Sequence, residues 1–183
     1  MVEYFTEAVV LDRAPRGESD ELITLYTRSL GKVMAVAKSS RMPLSKLSGH
    51  LRVGLLIKTR IIKTSRFKLI DAMSENVQFN SQLLNFIKFI DQMTSLESPD
   101  PHLWQGIDFV MRNIGGQSEE NYMPRVYRRF LDIFGYGAKF AKCDDCGTNK
   151  IAYFLPSDII FLCADSLTKR GLNETEAVSL QKT

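Results

Sequence analysis

Acidic side chains are missing from one long stretch of this chain. Residues 29–70 hold ten Lys or Arg and neither Asp nor Glu. Cysteine is scarce too. Three in 183 residues is an odd number and too few for a disulfide scaffold, so a reducing cytoplasm is the expected setting. Histidine occurs only as His50 and His102, neither beside a nucleophile motif. There is no Gly-rich phosphate loop ending in Lys-Ser or Lys-Thr, and no Gly-x-Ser-x-Gly. Two pairs of adjacent carboxylates, Asp144-Asp145 and Glu119-Glu120, read as loop or helix-start charges rather than an acid/base pair. No catalytic residue is assigned, and an enzyme is not expected. No apolar run approaches the roughly 18 residues of a membrane span, and the start, Met1-Val2-Glu3-Tyr4, has no charged-then-apolar leader. Internal repeats and low-complexity tracts are absent.

What is present is a concentrated positive field. The acid-free stretch carries Lys32, Lys38, Arg41, Lys46, Arg52, Lys58, Arg60, Lys63, Arg66 and Lys68, whereas both flanks are net acidic and the whole chain is only +3. A field of one sign implies a partner of the other. Apolar triplets and pairs lie between the charges, so the segment reads as strands of a small sheet presenting cations to a polyanion. The competing reading is that Lys guards exposed strand edges against aggregation. Two features favour nucleic acid: no acids are interleaved, and the cations recur over several strands and the loop at 39–49. Within residues 29–70 Phe67 is the only aromatic. Binding is therefore expected to rest on phosphate contacts rather than base stacking.

Along the chain, strands are expected at 5–11, 21–27, 33–38, 51–63 and 66–73. Gly31-Lys32 should form a hairpin turn, and Gly54 a bend or bulge within the fourth strand. Five short strands in about 70 residues fit a small barrel of the OB type. Beyond residue 80 the period becomes helical. Residues 82–94 are apolar nearly all round and should be buried. Asp100-Pro101 caps a second helix, with Leu103, Ile107, Val110 and Ile114 as its stripe and Gly115-Gly116 as its stop. A third helix at 121–134 carries Val126, Phe130 and Phe134 on one side and Arg125, Arg128 and Arg129 on the other. A short strand is expected at 151–155. A last helix is expected from Asn173, with Glu176 completing a capping box. The fold class is thus α+β: a five-stranded OB-type barrel at 1–79, then a helical domain at 80–183 with a zinc-ribbon-like insert at about 140–167.

That insert rests on Cys143-Asp144-Asp145-Cys146-Gly147, a knuckle, and on Cys163. A closed structural zinc site needs four ligands. The partner position for Cys163 is Ser166, a poor zinc ligand, so Cys143, Cys146 and Cys163 are candidate metal ligands without a fourth. Asp165 or a water could substitute. The alternative is a degenerate knuckle held by packing.

Together these segments resemble the RecO family of bacterial recombination mediators. The matching pieces are Ala8-Val9-Val10-Leu11, Gly17-Glu18-Ser19-Asp20, Leu25-Tyr26-Thr27 with Leu30-Gly31-Lys32, Ala37-Lys38, Phe130 with Phe134-Gly135-Tyr136, the cysteine knuckle, and Leu162-Cys163. There are departures. Ser39 stands where the family usually has Gly. Ile159-Ile160-Phe161 replaces a glycine pair before the third cysteine, the fourth ligand is lost at Ser166, and the chain is short for the family. The resemblance implies an OB domain followed by a helical domain with a zinc ribbon. It implies binding of single- and double-stranded DNA, annealing of complementary strands, and work beside RecR to load the RecA recombinase onto strands coated by single-strand-binding protein (SSB). The acidic, apolar SSB tail docks on the helical domain in the family, and Arg125, Arg128 and Arg129 are the candidates for it here. Their alternative is an ordinary exposed helix face. A different class stays open for the whole chain: a cytoplasmic RNA-binding or ribosome-associated OB module. A third class is a structural adaptor using the sheet for a protein partner.

Overall fold

The computed structural model describes residues 1–75, 79–114, 122–173 and 176–181. Five strands, β1 (Val2–Arg16), β2 (Asp20–Thr27), β3 (Gly31–Ala37), β4 (Leu56–Lys63) and β5 (Phe67–Ser74), close into a barrel in the order β1-β2-β3-β5-β4. β1 makes the closure possible by pairing twice. Its first half runs against β4, from Val2↔Lys63 to Val9↔Leu56, and its second half against β2, from Ala8↔Thr27 to Arg16↔Asp20. The register shifts between Val10 and Asp12, and such a shift bends a strand from one neighbour to the next. β3 and β5 complete the wall as a parallel pair, with Val36 opposite Lys68.

Period-two alternation fills the lumen. Ile23 and Leu25 from β2, Val33, Ala35 and Ala37 from β3, Ile57 and Ile61 from β4, and Phe67 and Leu69 from β5 form one buried cluster with Ala8, Val10, Leu51 and Ala72. Four alanines among these suit the narrow interior of a five-stranded barrel. The outer face of β2 is covered as well: Tyr26 is fully buried and stacks on Trp104, ring centroids 6.5 Å apart.

Two glycines set boundaries. Gly31 opens β3 at φ +67°, and a Cβ there would lie 2.4 Å from the Ser98 carbonyl oxygen, so no other residue fits the turn. The turn itself spans residues 28–30, one step before the expected Gly31-Lys32. Gly54 has φ +84°, which interrupts the extended backbone. β4 therefore starts at Leu56, and residues 51–55 are not strand, contrary to the long fourth strand expected. Gly54 N still donates to Val10 O at 2.8 Å.

Helix α1 (Ser81–Met93) is capped by Asn80, whose side chain accepts from Leu83 N. It buries Leu83, Phe86, Ile87, Phe89 and Ile90 but leaves Leu84 exposed. Helix α2 (Pro101–Asn113) starts as the sequence indicates: Asp100 Oδ1 accepts from His102 N at 2.8 Å and Leu103 N at 3.1 Å. Leu103, Ile107, Val110 and Ile114 are all buried. The expected stop at Gly115-Gly116, the pair Glu119-Glu120 and the expected first residue of the third helix, Asn121, lie outside the described residues.

By its contacts the chain forms two compact units, Met1–Gly115 and Gly116–Thr183, so α1 and α2 belong with the barrel. The second unit holds α3 (Tyr122–Ile133), a three-stranded sheet of β6 (Tyr153–Leu155), β7 (Ile160–Leu162) and β8 (Val178–Ser179) in the order β7-β6-β8, and α4 (Ala164–Lys169). The buried face of α3 is Met123, Pro124, Tyr127, Phe130 and Leu131. Of the expected stripe, Phe130 is buried while Val126 and Phe134 are half-buried. The expected helix from Asn173 is corrected. Glu176 does accept from Asn173 N at 3.1 Å, but residues 178–179 turn back as β8 against β6, and the last helix is α4. Among the described residues no helix is long and apolar enough to cross a membrane.

Candidate nucleic-acid interface

The ten cations of the acid-free stretch separate into three groups once folded. The first lies where the β1–β2 turn, the end of β3 and β5 meet. Arg66 and Lys68 alternate outward from Phe67 and Leu69, and parallel pairing sets Lys68 beside Val36, two residues before Lys38. Arg16 and Asp20, a register pair at the hairpin end, complete a groove of about 270 Å³ lined by Arg16, Asp20, Val36, Lys38, Arg66 and Lys68. Asp20 is its single carboxylate, and Oδ1 is occupied internally by Ser39 N at 2.8 Å and Ser19 Oγ at 3.3 Å. Arg41 leans on the same turn, its Nη1 donating to Gly17 O at 3.1 Å. Among the described residues Arg16, Lys38, Arg66 and Lys68 make no ion pair, nor does exposed Lys46 in the following loop.

A buried polar tie holds that loop against the barrel. Glu21 is almost fully buried. Its Oε1 accepts from Arg13 Nη2 at 2.6 Å and Nε at 3.0 Å, and its Oε2 from Ser40 Oγ at 2.8 Å. The second group is Arg52 alone, whose guanidinium lies 3.4 Å over the centre of the Phe79 ring.

The third group is matched to carboxylates. Lys58 Nζ is 3.6 Å from Glu75, Arg60 Nη1 is 3.2 Å from Glu3, and Lys63 pairs closely with Glu97. Lys32 is withdrawn altogether: its side chain is 15% exposed and pairs with Asp91 of α1. One member of the open group, Arg16, lies outside the acid-free stretch. Lys68 was legible as the next same-face residue after Arg66. Arg16 sits in an acidic part of the sequence, and only the hairpin pairing brings it to the groove.

In the second unit, Arg125, Arg128 and Arg129 are all exposed on α3. Arg128 Nε donates to Leu180 O at 2.8 Å, so this guanidinium tethers the segment after β8. The three cysteines come together with all Sγ atoms within 4.8 Å of one another. Cys146 Sγ is 3.8 Å from Cys163 Sγ, and Ser166 Oγ is 3.3 Å from both Cys143 Sγ and Cys163 Sγ. Burial works against the Cys143 thiolate. The Ser166 hydroxyl and the backbone amides of Cys163, Cys146 and Asp145 outweigh it and bring the thiol down to about 6. Asp145 is held below the usual carboxylate range by Arg170, which reaches it through Nε at 3.0 Å and through Nη2. Such a cluster of thiols can hold a soft divalent metal such as zinc. Asp165 is exposed and is not part of the cluster.

Comparison with known proteins agrees with this arrangement. Residues 1–74 match the family model described as recombination protein O N terminal, and residues 80–177 match recombination protein O C terminal. Similar proteins include a DNA repair protein RecO of Dehalococcoides mccartyi, 24% identical over 89% of this chain and 70% of that protein. One of Thermodesulfovibrio yellowstonii is 25% identical over 88% of this chain and 69% of that protein. One of Listeria monocytogenes is 21% identical over 77% of this chain and 59% of that protein.

Proposed function

The chain belongs to the recombination protein O (RecO) family, and on that premise we propose that it is a DNA repair and recombination mediator working in the cytoplasm. The barrel domain at 1–79 binds single- and double-stranded DNA. It anneals complementary strands and, beside RecR, helps load RecA onto SSB-coated DNA. The observation that supports this reading is the groove of Arg16, Lys38, Arg66 and Lys68, whose one carboxylate is already engaged, with Arg41 held on the adjoining β1–β2 turn. Cations with no internal partner can exchange their water and counterions for phosphates at little cost. Those of β4 must first give up Glu3, Glu75 or Glu97. Lys58, Arg60, Lys63 and Lys32 are accordingly peripheral to the DNA path, and Arg52 contributes through its stacked guanidinium.

Annealing needs no covalent chemistry. A basic surface offsets repulsion between two backbones while leaving bases free to pair. The groove lacks aromatic lining, which suits strands that must release their bases to each other. The SSB tail is acidic and apolar, and Arg125 and Arg129 of α3 in the helical domain at 80–183 are assigned to it, with Arg128 holding the helix to the segment after β8.

The test is annealing of SSB-coated complementary strands by wild type and by a variant with Lys38, Arg41, Arg66 and Lys68 changed to Glu. With five phosphate contacts, single-strand affinity falls on the order of 100-fold between 50 and 200 mM salt. The variant loses annealing and most of that salt dependence, while Lys58→Glu with Arg60→Glu changes little. Wild-type annealing by the fourfold variant would remove the reading. Strong binding of RNA with no annealing of SSB-coated DNA would favour the RNA-binding module instead. Loss of SSB-tail binding on Arg125→Glu with Arg129→Glu tests the second assignment, and unchanged binding moves it elsewhere on the helical domain.

A further inference from the structure

The position where a fourth cysteine ligand is missing is not vacant of donors. Ser166 is only 3% exposed. It follows Cys163 by three residues at the first turn of α4, so the two side chains share one side of the chain. Its Oγ faces the sulfurs of Cys143 and Cys163 at 3.3 Å each. We propose that Ser166 Oγ is the fourth ligand of a three-thiolate, one-oxygen zinc site in this chain, an inference that stands independently of the DNA-binding reading.

The argument is dimensional. A tetrahedral zinc with Zn–S bonds of about 2.3 Å sets sulfur–sulfur edges of about 3.8 Å. With a Zn–O bond of about 2.0 Å the sulfur–oxygen edges shorten to about 3.5 Å. The folded chain has a Cys146–Cys163 edge of 3.8 Å and two Ser166 edges of 3.3 Å. Three of the six edges thus lie near the required values, with the shorter ones on oxygen as the smaller ligand demands, and the three sulfurs all lie within 4.8 Å of one another. Packing accounts for Cys143 and Cys163, which belong to the apolar cluster with Leu155, Leu162 and Leu167, but it does not account for exposed Cys146 closing to 3.8 Å from Cys163.

The outer contacts fit the same assignment. Asp145 is clamped by Arg170, whose Nε reaches its carboxylate at 3.0 Å. The knuckle is closed by backbone bonds from Cys143 N to Thr148 O and from Gly147 N to Cys143 O, 2.8 Å each. Asp145 lies between the two knuckle cysteines, so its clamp to Arg170 braces the turn that carries both sulfurs.

The purified full chain is to be measured for zinc by elemental analysis and by zinc-edge X-ray absorption. One zinc per chain is expected, with three sulfur scatterers and one oxygen at the distances above. Ser166→Ala, close in size, weakens zinc in chelator competition on the order of tenfold or more. Asp145→Asn weakens it less. Ser166→Cys tightens it and raises the sulfur-to-metal charge-transfer absorption of the cobalt-substituted protein. No bound zinc, a shell with no light scatterer beside the three sulfurs, or wild-type affinity and cobalt spectrum in Ser166→Ala would each overturn the assignment. The first two are read on the unaltered chain, so misfolding of a variant does not blunt the test.

Discussion

Lys32 of β3 reaches Asp91 near the end of α1, its Nζ lying 2.6 Å from the Asp91 carbonyl oxygen and 2.7 Å from Oδ1. The well-directed hydrogen bond goes to the carbonyl, while the carboxylate is held by charge. Backbone contacts reinforce the join: Glu97 N donates to Lys32 O at 2.8 Å. This lysine therefore joins a helix to the barrel. Lys32→Ala leaves the carboxylate without its cation and is expected to lower stability by about 1–3 kcal/mol while leaving DNA affinity within twofold. Denaturant unfolding beside a strand-binding titration separates the two effects, and a large loss of affinity at unchanged stability would return Lys32 to the DNA path.

Glu21 has the same kind of role for the basic loop. Replacing it by Ala strands the Arg13 guanidinium and releases Ser40, the buried anchor of residues 39–50. A cost of about 2–4 kcal/mol is expected, with faster trypsin cleavage after Arg41 and Lys46 than in wild type. Equal cleavage rates would show that the loop is held by something else.

Two departures from the family's glycines fall on left-handed backbone. Ser39 has φ +52° and Ile159 has φ +59°. A β-branched residue is strained there, and Ile159 is 47% exposed, so little burial is lost by removing its side chain. Ile159→Gly is expected to stabilise the second unit by about 1 kcal/mol, and Ser39→Gly the first by somewhat less. Thermal unfolding of each single variant checks this, and a lowered midpoint for Ile159→Gly would refute it.

Tyr127 gives a pH dependence. Burial on α3 pushes its phenol well above the ordinary 10.0. The folded state thus keeps a proton that the unfolded chain loses above about pH 10. Its contribution to stability is intact below that pH and declines as pH rises, by up to about 1.4 kcal/mol per unit. Tyr127→Phe removes the titration, so wild type should lose stability more steeply than the variant between pH 10 and 12. Parallel curves would contradict the assignment.

Much of the barrel was legible because its signals are local. The alternation of Ile23 and Leu25 against Leu22 and Thr24 needs only neighbours, as does Asp100-Pro101 at a helix start. The errors arose where a local signal has two outcomes. Asn173 and Glu176 form the reciprocal bond of a helix start, yet the following residues meet β6 and are drawn into a sheet. The sorting of the cations was not legible at all. Arg60 finds Glu3 from 57 positions away and Lys63 finds Glu97 from 34, and no window of sequence holds both members of either pair. The same is true of Arg16, an isolated arginine until the hairpin and the parallel strands bring it beside Lys38, Arg66 and Lys68.

The double pairing of β1 also fixes the order in which the molecule can assemble during synthesis. β1 and β2 are close in sequence and can zip while the chain is still growing, but Val2 has no partner until Lys63 has left the ribosome. Until then the leading half of the first strand is an open edge. Closing the seam is a long-range event, and such events are slow. Nascent chains stalled before β4 should therefore be the ones that depend on chaperones, whereas those stalled after β5 can complete the cylinder unaided.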